Sequence, residues 1–219
     1  MQFLTGVLIV AGMALSQGAL AADQTGNLAT IAQQDATDNT ATITQSGTNS
    51  NIAIEQIGEG HTAKITDTGS DTLVIARQSG ARHRALLTLS GIGTTGSLDQ
   101  SGFGHRALVS VEGVGNDFTI TQSNADTGTR GNSLLLIQKN AGNMASQTQI
   151  GRNNVMMLVQ NGTDNTALLT QDGSNNIMGL YQHGASNSAT FTQLGDRAPA
   201  ILVTQTGGAS ATLTVSGVH

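Results

Sequence analysis

Three histidines, His61, His83 and His105, recur at one fixed interval, and Arg84 and Arg106 follow the last two at the same interval with Arg82 beside them. Imidazoles stacked in such a series have two chemistries open to them. Adjacent rings oppose each other's protonation, which makes a pH-sensitive patch, and neighbouring rings can share a metal ion. Zinc, however, wants ligands that converge tetrahedrally, not a row. The plainer alternative is that each His replaces a hydrogen-bonding amide, because Asn39 occupies the same place in the pattern. The arginines offer an anion-binding strip for surface polysaccharide or extracellular DNA, a brake on assembly through like-charge opposition, or simply a solvated face with spread tips.

Nothing else in the chain resembles a reaction centre. There is no G-x-S-x-G, no H-E-x-x-H and no P-loop. The calcium-binding nonapeptide G-G-x-G-x-D is missing, and the scattered acids form no carboxylate pair suited to sugar cleavage. The expectation is a protein that is not an enzyme and has no cofactor. It has no Cys, so no disulfide can staple it, and its net charge of −5 comes without a basic block for specific nucleic-acid recognition. Aromatic residues make up 2% of the chain, too few for an ordinary aromatic-rich globular core.

These residues sit on a lattice. Gln45, Gln56, Gln78, Gln100, Gln122, Gln138, Gln149, Gln160, Gln171, Gln182, Gln193 and Gln205 are separated by eleven positions or by twice eleven, except at two slips. Asp67, Leu89 and Val111 take the alternate places in the first half. Six places before such a position stands Asn39, Asn116, Asn132, Asn143, Asn154, Asn165, Asn176 or Asn187. Two places after it stands Gly47, Gly58, Gly69, Gly80, Gly91, Gly102, Gly113, Gly151, Gly162, Gly173, Gly184 or Gly195.

In most units the residues two and four before the Gln are apolar or Ala, while those one, three and five before it are mainly Thr, Ser or charged. That is period-two alternation, so Asn, the two apolar residues and Gln share one face of a strand. A helix would place the two apolar positions about 200° apart. The Gly is expected to close each strand with a turn. Two strands make one rung of twice eleven positions, and rungs stack at the ~4.7 Å strand spacing. The predicted fold is all-β, a β-solenoid of stacked strand-turn-strand rungs forming two parallel sheets, about eight rungs long. On its outer face Glu55, Arg77 and Asp99 form a column of alternating sign, and Thr44, Thr66, Thr88 and Ser110 form another, read here as its neighbour.

At 160–193 the pattern condenses to Q-x-G-x-x-N-x-A-x-x-x-Q, met by Gln160, Gly162, Asn165, Ala167 and Gln171 and again by Gln182, Gly184, Asn187, Ala189 and Gln193. This skeleton resembles the curlin repeat of bacterial curli subunits. The resemblance implies a secreted structural protein that polymerises into functional amyloid on the cell surface, for adhesion, aggregation and biofilm matrix. It also implies an outer-membrane secretion pore and another curli subunit as partners. Whether such a chain is the polymer or its nucleator stays open.

Residues 1–21 carry an apolar run from Val7 to Leu15 and end in Ala19-Leu20-Ala21, which reads as a cleaved secretory signal peptide. The repeat domain is expected over 22–219, with a loop inserted at about 123–131. Pro199 sits at a strand start, where a missing N–H matters least. With neither end capped, matching unpaired rungs are expected to grow end to end into a cross-β fibre. The alternative is a monomeric surface-binding module of adhesin or ice-binding type, for which a regular Thr face would speak.

Overall fold

The computed structural model describes residues 5–6, 19–22, 26–125 and 130–218. Among them every regular element is a β-strand, and all belong to one of two sheets. The first sheet runs Thr40–Gln45, Thr62–Asp67, Arg84–Ile92, Arg106–Val114, Ser133–Ala141, Val155–Thr163, Ile177–Ala185 and Ile201–Thr206. The second runs Leu28–Thr37, Asn51–Glu59, Leu73–Ala81, Thr95–Phe103, Asp117–Ser123, Met144–Arg152, Thr166–Ser174, Ser188–Leu194 and Ser210–Ser216. Consecutive strands alternate between the sheets and neighbours within a sheet are parallel, so the chain winds as a β-solenoid of about eight turns.

Register follows the sequence lattice. Arg84 pairs with Arg106, Thr88 with Ser110 and Gln100 with Gln122, each residue meeting its counterpart one full rung on. The loop expected at about 123–131 lies partly outside the described residues, and the ladder is unbroken on either side of it, since Ile120 pairs with Gln147 and Val109 with Leu136. The single-residue slip near Pro199 is absorbed the same way, with Leu180 opposite Val203.

Alternation decides the core. In Thr62–Asp67 and Arg106–Val114 every second side chain is buried, and the thin interior is built from Ile52, Ile54, Ile65, Leu87, Leu98, Ile120, Leu136 and Leu158, each no more than 1% exposed. Phe118 and Phe191 are the large exceptions. Gly96 lies in register with Phe118, and a Cβ on Gly96 would collide with that ring, so a missing side chain in one rung makes room for an oversized one in the next.

The structure departs from the sequence reading in four places. First, most of the glycines do not form the turn: Gly58, Gly80, Gly91, Gly102, Gly113, Gly151, Gly162, Gly173 and Gly184 lie inside strands, and only Gly47, Gly69 and Gly195 lie outside them. Gly80 shows why glycine is needed inside a strand. Its φ is +108°, and a Cβ there would overlap the carbonyl of Gly102 in the next rung. The chain turns slightly later, at residues such as Gly60, Arg82 and Gly104, which take the left-handed conformation.

Second, the outer faces change character halfway along. The first sheet goes from Lys64, Arg84 and Arg106 to Val155, Met157, Ile177, Tyr181 and Leu202, all well exposed, so its later strands are apolar on both sides. Third, the Thr44, Thr66, Thr88, Ser110 column and the Glu55, Arg77, Asp99 column are not neighbours, because they lie on opposite sheets. The charged column in fact leads into Thr121, Thr148, Thr170, Thr192 and Thr214.

Fourth, the ends differ. At the C-terminal end of the described chain, the edges of Ile201–Thr206 and Ser210–Ser216 carry no further strand. At the other end, Thr5–Gly6 pairs antiparallel with the first strand of the first sheet and Ala19–Ala22 with that of the second. The expectation of two bare ends therefore fails at the N-terminal end. An open strand edge presents unpaired N–H and C=O groups, and any extended segment is a ready partner for them. The apolar run assigned to the signal peptide, Val7 to Leu15, lies outside the described residues.

Candidate functional site

Among the described residues the distinctive chemistry lies in columns of polar side chains running along the solenoid interior. Each comes from one lattice position. Since that position faces inward in every rung, its side chain meets only its counterparts above and below and the backbone at the corner.

The glutamines bond amide to amide. In the second sheet Gln33 donates to Gln56, Gln56 to Gln78, Gln78 to Gln100, Gln100 to Gln122, Gln122 to Gln149, Gln149 to Gln171 and Gln171 to Gln193, all at 2.7–2.9 Å between Nε2 and Oε1. In the first sheet a shorter column runs from Gln138 through Gln160 and Gln182 to Gln205. Gln45 stands apart from it, separated by Asp67, Leu89 and Val111. Gln138 heads the column beside Val111, which explains why its buried Oε1 has no hydrogen-bond partner. Asp67 uses one carboxylate oxygen to accept from the Gly69 N–H and the Thr72 hydroxyl.

The asparagines bond to backbone. Asn132 Oδ1 accepts from the N–H of Asn154, Asn154 from Asn176 and Asn176 from Ala198. A second column runs Asn116, Asn143, Asn165, Asn187 to the N–H of Ala209. Their amide groups donate to glycine carbonyls: Asn39 to Gly58, Asn132 to Gly151, Asn143 to Gly162, Asn154 to Gly173, Asn165 to Gly184 and Asn176 to Gly195. Asn and Gly are thus two halves of one corner.

His61, His83 and His105 lie in the Asn132 column, all but fully buried. Their rings stack nearly parallel, with centroids 5.0 and 5.1 Å apart. The Nδ1 atoms accept backbone N–H groups from the next rung, His83 onto His61, His105 onto His83 and Asn132 onto His105. With Nδ1 an acceptor, Nε2 carries the hydrogen and donates to the carbonyls of Ile57, Ser79 and Ser101, four places back. Asn154 and Asn187 make the same pair of contacts, accepting from the next N–H and donating to Ile150 O and His183 O. The imidazole therefore reproduces two of the contacts that the amide makes. Burial pushes all three rings below the ordinary His value, His83 and His105 to about 4, and the other two rings add to the effect at His83. Both nitrogens are engaged with backbone, and among the described residues no group of three or more His, Asp or Glu is arranged to hold a metal ion.

The charged surface is more ordinary. Arg77 reaches Glu55 at 3.2 Å, about half exposed, the kind of pair worth little on its own. Arg84 and Arg106 stand in register on the first sheet with Lys64 in the column beside them, and Arg82 turns to the ring of Phe103 at 5.5 Å.

Four buried polar residues escape the sequence reading although the lattice places them plainly. Ser50, Thr72 and Thr94 occupy the Asn position in the second sheet, six places before Gln56, Gln78 and Gln100, and are 2% exposed or less. Gln147 stands two places before Gln149, where every other rung of that sheet from Ile31 to Leu213 has an apolar residue.

A two-sheet solenoid with stacked amides along its interior defines a repeat scaffold. Residues 94–123 match the family model described as Curlin associated repeat, a span holding Gln100, His105, Asn116 and Gln122 and just over one full rung. No curated protein matches the chain. The chain carries a curlin associated repeat at 94–123, and this repeat together with the fold fits a curli-like structural protein.

Proposed function

We propose that this chain is a structural subunit of extracellular, curli-like amyloid fibres that serve adhesion, aggregation and biofilm matrix. The observation that supports it most is the edge formed by Ile201–Thr206 and Ser210–Ser216, which among the described residues carry no further strand and keep the lattice register of the rungs below. Such an edge is a template for another copy. Growth also needs the N-terminal edges, which the leader strands Thr5–Gly6 and Ala19–Ala22 occupy. Residues 1–21 act in this reading as a cleaved export signal whose removal clears the first rung of 22–219. An outer-membrane secretion pore and another curli subunit are the partners proposed, and the Lys64, Arg84, Arg106 strip is the place for polysaccharide or DNA.

Incubating the exported chain and recording sedimentation and fibre diffraction tests this. Pelletable filaments with a meridional reflection near ~4.7 Å support it, and a chain that stays monomeric overturns it.

A second reading is favoured by a specific face. The outer surface of the second sheet presents hydroxyls in two columns, Thr121, Thr148, Thr170, Thr192 and Thr214 beside Thr119, Ser146, Thr190 and Thr212, interrupted by Leu168. A monomeric surface-binding module would use such a face, and persistence of the monomer together with adsorption to ice or polysaccharide would select it.

A further inference from the structure

Leaving aside the two leader strands, the solenoid has an odd number of strands among the described residues: seventeen, eight in the first sheet and nine in the second. The described winding therefore spans eight and a half rungs. Ser210–Ser216 lies on the second sheet, and the next position along the winding is on the first sheet, beside Ile201–Thr206. We infer that successive copies join with a half-turn about the solenoid axis, so that the first sheet of one copy continues as the second sheet of the next. This rests on the fibre reading above.

The joint works only that way without a gap. The first strand of an incoming copy is Leu28–Thr37, of the second sheet, followed by Thr40–Gln45, of the first. After a half-turn, Leu28–Thr37 fills the position beside Ile201–Thr206, and Thr40–Gln45 then fills the one beside Ser210–Ser216. Both edges are paired. Strand direction is preserved as well, because the two strands of a rung run opposite ways and a half-turn about the axis reverses direction while exchanging sheets. Without rotation, Leu28–Thr37 lands beside Ser210–Ser216 and leaves an empty strand position beside Ile201–Thr206. Unpaired buried backbone groups make that vacancy expensive.

The interior columns agree. Gln205 closes the first-sheet column, accepting from Gln182 and donating to Ser188 O and Ala209 O. Gln160, one of its predecessors, makes the equivalent backbone bonds to Met144 O and Asn165 O and in addition donates to the next glutamine. The half-turn brings Gln33 of the next copy to that position, at the head of the eight-glutamine column of the second sheet. The amide chain then runs unbroken from Gln138 of one copy to Gln193 of the next. The unrotated joint would set Gln33 against Val215, which has no amide to offer.

The absence of native Cys makes the test simple. Position 32 precedes Gln33, position 204 precedes Gln205 and position 214 precedes Val215, all on outer faces. Two variants of the full chain, Ala32→Cys/Thr204→Cys and Ala32→Cys/Thr214→Cys, would be expressed with the leader, collected after export, allowed to polymerise and oxidised. The half-turn predicts a covalent ladder on a non-reducing gel for the first variant and none for the second, since neighbouring strands place paired residues within disulfide reach. The reverse pattern overturns the half-turn and leaves the fibre intact, as does a fibre that cross-links in neither variant. Cryo-electron microscopy of the unsubstituted fibre gives a check free of substitutions. A subunit rotation offset by about 180° at an axial rise of roughly 40 Å is the expected result, and an offset near zero overturns it. Failure of the unsubstituted chain to form fibres removes both the joint and the function it rests on.

Discussion

The backbone N–H of His105 donates to Nδ1 of His83 at 3.1 Å, so one imidazole tethers the rung above it while its other nitrogen holds the carbonyl of Ser79. The first contact requires Nδ1 to be unprotonated, and so the neutral ring. A proton added at Nδ1 would turn an acceptor toward a donor and place a charge in a buried stack.

Stability should therefore fall as the medium becomes acidic. Burial sets the folded values of His83 and His105 at about 4, below the unfolded value of 6.5, and lowers His61 as well. Between those limits the unfolded chain takes up protons that the folded chain refuses. The stabilising effect of the neutral rings is complete above about pH 6.5 and is lost progressively as the pH drops toward 4. Replacing all three rings in His61→Asn/His83→Asn/His105→Asn extends the Asn column from Asn39 to Asn176 and should remove this part of the pH dependence. Denaturation midpoints of both proteins, taken at closely spaced pH values from neutral down to that of the folded rings, make the comparison. Parallel curves would show that the column does not titrate on unfolding.

Gln147 should be a weak point of the interior. It is fully buried, both atoms of its amide lack a partner, and it sits in register between Ile120 and Leu169. An unsatisfied buried amide costs about 1–3 kcal/mol. Gln147→Leu keeps the volume and removes the polar atoms, so it should raise stability by a comparable amount. A chemical denaturation midpoint that stays put or falls in the variant would contradict this account.

The legibility of this molecule in its sequence follows from repetition. One inward position repeated in every strand averages out local accidents, which is why the Gln, Asn and apolar columns can be placed on one face from the sequence alone. Sheet membership is harder. Thr88 and Asp99 are one unit apart and look adjacent on the lattice, yet alternate units face opposite sides, so outward neighbours are a full rung apart and never half a rung. The glycines mislead for a related reason. Gly two places after Gln resembles a turn residue, but at Gly80 and Gly102 it is the closeness of stacked backbones inside a strand that excludes a side chain. The pairing of Thr5–Gly6 and Ala19–Ala22 with the first rung leaves no periodic signal at all, since any extended segment can satisfy an open edge.

Two glycines at neighbouring levels should separate crowding from backbone conformation. Gly80 has φ of +108° and its missing Cβ would overlap the Gly102 carbonyl; Gly115 has φ of +63° and nothing within 4 Å of the equivalent point. Gly115→Ala should cost about 1–2 kcal/mol, the penalty of a left-handed residue alone. Gly80→Ala must in addition push two rungs apart, for a loss of more than about 3 kcal/mol. Equal losses would mean that the rungs can slide to accept a methyl group.

Breaking the amide column in its middle should be far more damaging than its single side chain suggests. Gln100 accepts from Gln78, donates to Gln122 and donates weakly to the carbonyl of Arg84. Gln100→Leu leaves a donor on Gln78 and an acceptor on Gln122 without partners, both fully buried, for an expected loss of about 2–5 kcal/mol. The first sheet tolerates Leu89 and Val111 at the same lattice place because the two sit next to each other and strand few amide groups between them. Substituting a run should therefore hurt less per residue than substituting one. Gln78→Leu/Gln100→Leu is expected to lose less than the sum of its single variants, a non-additivity that a double-mutant cycle measures directly. Strict additivity would mean that the glutamines act as independent side chains and that the column is only a by-product of the register.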